Sequence, residues 1–289
     1  MTAALAPARP GAVAGRATFV PLAVRETRRF VINPVFLFAV AIIALTWVSP
    51  AAPAGEIDTV NEYPAIVLGG FGMMATFWLT RSMRASEPVV GVTPVTLATR
   101  TAALCAVAIV PFSFGCLTLL AFLRSYPVGG SLYGAFSPSA RIAVLVGQIV
   151  VPSLGGPLLG VALGRWVRFP GAAFVLFLVL FGWGNLVTFL SISRPDSTPL
   201  VVLRLFAPFA FFTLRGGTGH LTTWRGSPWF FLGWQLALCA IAVLVALLRG
   251  AEGPVRSRII RALGIAGAAA LIMLVLAVTG GFPHPVIAR

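Results

Sequence analysis

The sequence contains no lysine, and only 10% of its 289 residues are charged. A soluble domain carries roughly 25% charged residues, so this composition argues against a soluble fold. The lack of lysine also excludes the P-loop motif G-x-x-x-x-G-K-[ST], because the lysine of that motif contacts the phosphates of the nucleotide. The chain therefore cannot build a P-loop nucleotide site of its own.

Residues that carry chemistry are also scarce. The three cysteines, Cys105, Cys116 and Cys239, fall inside apolar runs without a C-x-x-C or Cys/His metal spacing, so we interpret them as packing residues. No H-E-x-x-H zinc motif is present. No acidic residue, arginine or histidine lies deep in the clear apolar runs, whereas a proton-coupled carrier normally needs such a relay.

Long apolar runs dominate what is present, and 58% of the residues are hydrophobic. A membrane span needs about 20 mostly apolar residues. The clearest runs are Val31–Val48, Tyr63–Thr80, Thr101–Leu123, Ile142–Leu163, Phe169–Leu190 and Ser227–Leu248, with a weaker seventh at Ala262–Val278. The pattern predicts an all-α polytopic membrane protein with six core transmembrane helices and a possible seventh.

The arginines flank these runs and give a formal net charge of +14. Arginine and lysine favour the cytoplasmic side of a membrane. With the N-terminus in the cytoplasm, most arginines fall inside, and the acidic loop with Glu56, Asp58 and Glu62 falls outside. We therefore expect a multi-pass protein of the cell membrane with a cytoplasmic N-terminus, and no nucleic-acid binding, since no soluble segment could hold a reading domain.

The segment Pro199–Leu214 is apolar but short, and it contains Arg204 and Pro208. If it crossed the bilayer, the arginines between Arg249 and Arg261 would lie outside, against the charge rule. We predict an external or re-entrant helical element between the fifth and sixth spans. Its phenylalanines are candidate gate residues: Phe206, Phe209, Phe211 and Phe212.

The pattern divides the chain into four regions. Residues 1–17 are rich in alanine, proline and glycine and are expected to be a disordered tail. Residues 18–33 predict a short amphipathic helix with Arg25, Arg28 and Arg29 on one side, which bends into the first span at Asn33-Pro34. Residues 31–248 form the six-span domain. Residues 249–289 form a basic cytoplasmic segment with the possible extra span.

The connection after the second span is longer than a simple turn needs. Arg81 and Arg84 end the span, and the connecting loop contains Glu87, Pro88 and Pro94. Prolines restrict the backbone, so this loop is a candidate docking surface on the cytoplasmic side.

Two of these segments carry sequence motifs. The first reads Arg25-Glu26-Thr27-Arg28-Arg29 through Asn33-Pro34, and the second runs from Arg81 to Glu87, then Val89-Val90 and Thr93-Pro94-Val95. In order and placement they resemble the membrane subunits of ATP-binding-cassette exporters of the type-2 permease family. That family has an arginine-rich "elbow" helix of the form R-E-x-R-R-x-x-x-N-P, and external helices similar to Pro199–Leu214. The weak seventh run exceeds the usual six spans.

The resemblance implies a permease that moves a hydrophobic or amphipathic substrate out of the cell. It would not be an enzyme by itself and would bind no cofactor, since a partner ATPase subunit would bind ATP and magnesium. A second copy or a related permease would complete a dimer. The implied ATPase-coupling residues are Arg25, Glu26, Arg28, Arg29, Arg84, Glu87, Pro88, Thr93 and Pro94.

Polar and small residues inside the spans leave more than one interpretation. The amides of Gln148, Asn185 and Gln235 could bond between helices or line a substrate path. Glycines at 156, 160 and 164 form a small-xxx-small row that favours close helix packing. Two other functions stay open, a membrane-embedded scaffold or assembly protein without transport and a channel or carrier of another family. Neither of these proteins needs the elbow helix or the loop around Glu87.

Overall fold

A computed structural model describes residues 12–48, 64–85, 95–125, 137–193, 213–215, 221–223 and 226–281. The helices are α1 (Ala12–Val31), α2 (Pro34–Val48), α3 (Gly72–Ala85), α4 (Leu97–Ala106), α5 (Ile109–Ser125), α6 (Pro138–Leu145), α7 (Val151–Trp166), α8 (Ala172–Ser193), α9 (Pro228–Leu248) and α10 (Gly253–Thr279). π-helical segments, Ala65–Phe71 and Val146–Val150, lead into α3 and α7. Apart from a three-residue antiparallel pair of strands, β1 (Thr213–Arg215) and β2 (Leu221–Thr223), the regular structure of the described residues is helical.

Each apolar run predicted from the sequence coincides with helix. A helix forms hydrogen bonds between its own backbone amides and carbonyls. Lipid offers no hydrogen-bonding partners for these groups, so long apolar runs adopt this conformation. In the part of the chain that the structure describes, four helical stretches are long and apolar enough to cross a membrane: Leu97–Arg124, Pro138–Trp166, Pro228–Leu248 and Gly253–Thr279. A fifth is obtained if α1 and α2 count as one bent span. The chain thus has the helices of a membrane protein, including a full-length helix at the weak seventh run.

The first bend lies where Asn33-Pro34 predicts it. The axes of α1 and α2 differ by 64° across this break. Asn33 Oδ1 accepts a 2.9 Å hydrogen bond from the Val35 amide, and Pro34 occupies the first helical position, where a missing N–H costs nothing. Helix α1 begins at Ala12, so it also includes residues 12–17 of the segment expected to be a tail.

The third predicted span is not one continuous helix. Helices α4 and α5 are separated by a turn at Val107 and Ala108, whose amides bond to the carbonyls of Leu104 and Cys105. Thr96 caps the start of α4, since its hydroxyl accepts from the Thr99 amide at 3.2 Å. Pro111, in the first turn of α5, has no amide proton and its ring would clash with the Val107 carbonyl of a continuous helix, which accounts for the interruption at this place.

The tightest contact joins α3 and its π-helical segment to α7. A Cβ added at Gly156 would overlap the backbone of Gly69, and one at Gly164 would lie 2.7 Å from Thr80 Cβ. Thr76 Oγ1 donates to the Pro157 carbonyl at 2.8 Å across this contact. The small-residue row therefore packs as predicted, because glycine alone lets the two backbones approach this closely.

Helices α8 and α9 run in opposite directions. Phe177 contacts Gly70 and Leu180 contacts Ala65, so α8 is antiparallel to the helix that ends at Ala85. Helix α7 runs parallel to α3, because Gly156 faces Gly69 and Gly164 faces Thr80. Helix α9 runs parallel to α7, from Gln235 beside Gly147 to Arg249 beside Arg165, and is therefore antiparallel to α8. The chain thus leaves α8 and enters α9 at the same end of the bundle. Residues 199–212 of the predicted re-entrant helical element lie outside the described residues, and its last two residues, Thr213 and Leu214, belong to strand β1 and not to a helix.

Helix α10 packs antiparallel to α9. Met273 contacts Gly233, and the Ser227 amide donates to the Ala277 carbonyl at 3.0 Å. Large apolar side chains of α10 are exposed, among them Ile265, Leu271, Ile272 and Val275. The last predicted run is thus a long helix on the periphery of the bundle.

Candidate functional site: the arginine end

Six arginines from different parts of the chain meet at one end of the bundle, which we call the arginine end. They are Arg29 of α1, Arg81 and Arg84 of α3, Arg165 of α7, Arg168 just after α7, and Arg249 just after α9. The charge pattern predicts this grouping, because it places the same segments on one side of the membrane.

The C-terminus of α7 is capped by arginines of two other helices. Arg84 Nη1 lies 3.1 Å from the Gly164 carbonyl, 3.3 Å from that of Arg165 and 3.2 Å from that of Val167. Arg249 Nη1 also donates to the Arg165 carbonyl. The last carbonyls of a helix lack intrahelical donors and carry partial negative charge, so guanidinium groups stabilise them. Arg84 and Arg249 thereby tie α3 and α9 to the end of α7.

Aromatic side chains add to these contacts. We call Arg84, Arg249, Trp166 and the carbonyls at the end of α7 the arginine clamp. Trp166 Nε1 donates to the Val245 carbonyl of α9 at 2.9 Å, and the Arg249 guanidinium lies 5.8 Å from the Trp166 ring. Arg81 likewise lies 5.8 Å from the Trp78 ring and donates to the Arg168 carbonyl at 3.2 Å. The Arg165 side chain is fully buried. The charge pattern placed these arginines on one side but did not reveal which carbonyls they bind.

Helix α1 joins the same end through one arginine. Arg29 Nη1 forms an ion pair with Glu26 Oε2 at 3.0 Å, and Arg29 Nη2 donates to Ser82 Oγ of α3 at 3.1 Å. Phe30 is fully buried against Phe36, with ring centroids 4.3 Å apart. The bend and these contacts hold α1 against the C-terminal part of α3.

The implied ATPase-coupling residues differ in their accessibility. Arg25 and Arg28 are exposed, while Glu26 is buried and paired with Arg29. Arg84 directs its Nη1 into the chain's own helix end. Glu87, Pro88, Thr93 and Pro94 lie outside the described residues, directly after α3. Glu26 and Arg84 thus make contacts within the chain, whereas Arg25 and Arg28 are accessible at the molecular surface.

The three intramembrane amides are not brought to one place. Gln148 and Gln235 are both buried, and a Cβ at Gly147 would lie 3.0 Å from Gln235 Oε1. Asn185 is exposed, and its Nδ2 donates to the Phe181 carbonyl of its own helix at 2.8 Å. Gln148 and Gln235 therefore belong to the contact between α9 and the π-helical segment Val146–Val150. The gate candidates Phe206, Phe209, Phe211 and Phe212 lie outside the described residues.

In comparisons with known proteins, no family model, no curated protein and no solved structure matches this chain. Within the part of the chain that the structure describes, no group of three or more histidines, cysteines or acidic residues could hold a metal ion.

Proposed function

We propose that this chain is the permease subunit of an ATP-binding-cassette exporter, with six core spans and a seventh peripheral one. A separate ATPase subunit would bind at the arginine end, which would face the cytoplasm. A second permease copy or a related permease would complete the transporter. The exported substrate would be hydrophobic or amphipathic, in keeping with the apolar spans.

The observation that carries this proposal is the contact between α1 and α3. In the exporter family that the sequence resembles, the elbow helix and the loop after the second span are the segments that contact the ATPase. Here Arg29 links the elbow, α1, to Ser82, just before residues 86–94. The elbow therefore contacts the end of the helix from which residues 86–94 follow, and this contact supports a joint docking surface.

The arginine clamp provides a physical route from that surface into the bundle. A force on the loop after Ala85 would act directly on α3, and Arg84 ties α3 to the end of α7. Arg249 ties α9 to the same helix end. Because packed helices move as rigid elements, movement of the docked ATPase would displace α3, α7 and α9 together. A scaffold protein would have no use for such coupling.

The docking surface can be tested with charge reversals in the full-length protein. We expect wild-type protein, affinity-purified from its native membrane, to retain a chain with a P-loop and to support ATP hydrolysis. Glu87→Arg and the double change Arg25→Glu with Arg28→Glu should remove that partner while leaving membrane insertion intact. Arg124→Glu, at the other end of the bundle, is the matched control and should retain it. Retention by the Glu87 and Arg25/Arg28 variants would exclude docking at this surface.

A charge swap separates docking from internal stability. Glu26→Arg with Arg29→Glu keeps an ion pair within α1 but reverses its polarity. If the pair only holds α1 in place, the swapped protein should bind the ATPase nearly as well as wild type. If Arg29 contacts the ATPase directly, the swap should lose the partner as the single change Arg29→Glu does. Loss confined to Arg29→Glu would assign it a positioning role.

The span arrangement has its own test, which the docking result cannot replace. Single cysteines at Gly217 and Gly253, in a cysteine-free background, would be labelled with a membrane-impermeant maleimide. We expect Gly217→Cys to react from outside and Gly253→Cys only after permeabilisation, since crossing by Pro199–Leu214 would export the basic segment. A cytoplasmic cysteine at position 217 would contradict both the gate proposal and the six-span plan.

A further inference from the structure

Helix α1 has two faces, and among the described residues only one of them is covered by other helices of the chain. Glu26, Arg29 and Phe30 face α2 and α3. Val20, Val24, Arg28 and Val31 recur at helical spacing on another face and are exposed. In a membrane protein this second face meets lipid.

A groove lies along that outer face. It has a volume of about 520 Å³, is open to the molecular surface, and is lined almost entirely by α1, with Ala106 of α4 at its edge. Its lining is apolar apart from Thr27 and Arg28. Grooves that hold small molecules in proteins have volumes of roughly 300–1,000 Å³. The size therefore suits a hydrocarbon chain.

The charge at the groove suggests what that chain belongs to. Arg28 is exposed, and among the described residues its guanidinium has no acidic or hydrogen-bonding partner. Arg25 lies one turn earlier and is exposed as well. An exposed guanidinium above an apolar groove complements an anionic headgroup attached to an acyl chain, and arginines near a membrane surface attract anionic lipids.

We propose that this groove is a binding site for one anionic phospholipid, with an acyl chain between α1 and α4 and the phosphate at Arg28. The lipid would fill the outer face of α1, while the Arg29 ion pair holds its inner face. It would thereby fix the position of α1 relative to the interrupted third span. Arg28 also belongs to the proposed ATPase-docking surface, so the phospholipid and the ATPase would share this residue. Lipid labelling needs only membrane insertion and is measured without the ATPase, so it can fail while docking holds, and the reverse.

The site can be tested with a photoactivatable phosphatidylglycerol that carries a diazirine in one acyl chain. The full-length protein would be reconstituted into vesicles of phosphatidylcholine that contain this probe, and cross-linked peptides would be located by mass spectrometry. We expect preferential labelling of residues 19–32 and of the region around Ala106. The corresponding phosphatidylcholine probe should label these residues less.

Two substitutions remove the two halves of the site. Arg28→Gln should lower groove labelling by the anionic probe about fivefold, the effect expected for one charge at a membrane surface. Val24→Trp fills the groove and should abolish labelling by either probe, whereas Val24→Leu should preserve it. The matched controls are Val179→Trp on the exposed face of α8 and Arg256→Gln on α10, which should leave groove labelling unchanged.

Four results would overturn the proposal. Equal labelling of the α1 groove and of the exposed face of α8 would indicate annular lipid only. Equal labelling of wild type and Arg28→Gln would remove the headgroup from the site. Competition by soluble glycerol phosphate as effective as that by the phospholipid would indicate a free-phosphate site without an acyl chain. Loss of labelling in Val24→Trp together with retained labelling in Val24→Leu and in both controls supports the groove, whereas undiminished labelling in Val24→Trp would contradict it.

Discussion

The helix that ends at Trp166 and the helix α10 are both apolar enough to cross a membrane, yet they occupy opposite environments. In the helical stretch Pro138–Trp166, 67% of the most apolar window is buried within the protein, against 11% for α10. Apolarity therefore does not decide which helix lies at the centre. Lipid is as apolar as a leucine side chain, so burial between helices needs another cause.

Small residues and their facing partners supply that cause. Both helices contain glycines, but only those of α7 are in contact with a neighbouring helix. A Cβ at Gly156 would lie 2.6 Å from the carbonyl carbon of Gly69, whereas Gly264 and Gly267 of α10 have no atom within 4 Å of a corresponding Cβ. A row of glycines thus leads to burial of its helix only where the backbone of a second helix packs against it.

The largest effect is expected from adding one methyl group at the centre. Gly156→Ala should lower the free energy of unfolding by about 3 kcal/mol, the upper part of the usual range for overpacking, because backbone atoms of Gly69 cannot move aside cheaply. Unfolding by SDS in mixed micelles measures it. Gly182→Ala on α8, where the added Cβ would have open space, is the control and should not destabilise. Similar losses in both variants would show that the α3–α7 contact is not as close as described.

The same contrast shows how far sequence reasoning extends. The apolar runs, the bend at Asn33-Pro34 and the packing row at Gly156 follow from local rules, namely span length, capping and glycine spacing. Each rule involves one segment at a time. The runs are therefore confirmed as helices, and so are the bend and the packing row, although α10 reaches further towards the N-terminus than the predicted run at Ala262. The predicted count of six or seven spans is not confirmed, since four described helices, or five with the bent pair, are long and apolar enough to cross a membrane.

Features that depend on two segments at once could not be predicted in detail. The turn at Val107 and Ala108 is a local feature that Pro111 could have indicated, whereas the sequence does not mark the π-helical segments. The arginine clamp depends on which helix end Arg84 and Arg249 reach. A rule about membrane sides predicts that these arginines share an end, but their hydrogen-bond acceptors follow only from helix packing.

The clamp should rank second in effect. Arg84→Ala removes a donor that reaches three carbonyls at the end of α7, so we expect a loss of about 2 kcal/mol in the free energy of unfolding. Arg256→Ala, an exposed arginine of α10, should change it far less. If the same SDS titration gave equal effects for both, the arginines at this end would act only as surface charge.

The smallest effect should have the opposite sign. Gly264 lies within α10, is exposed, and an added Cβ would have no neighbour within 4 Å. Gly264→Ala should therefore stabilise the protein by about 0.5–1 kcal/mol, because alanine is a better helix former than glycine. The measurement is the SDS titration applied to Gly156→Ala, so one substitution type is compared at two glycines. Destabilisation at Gly264 would mean that another backbone packs against this face in the assembled protein, and the periphery would then resemble the centre.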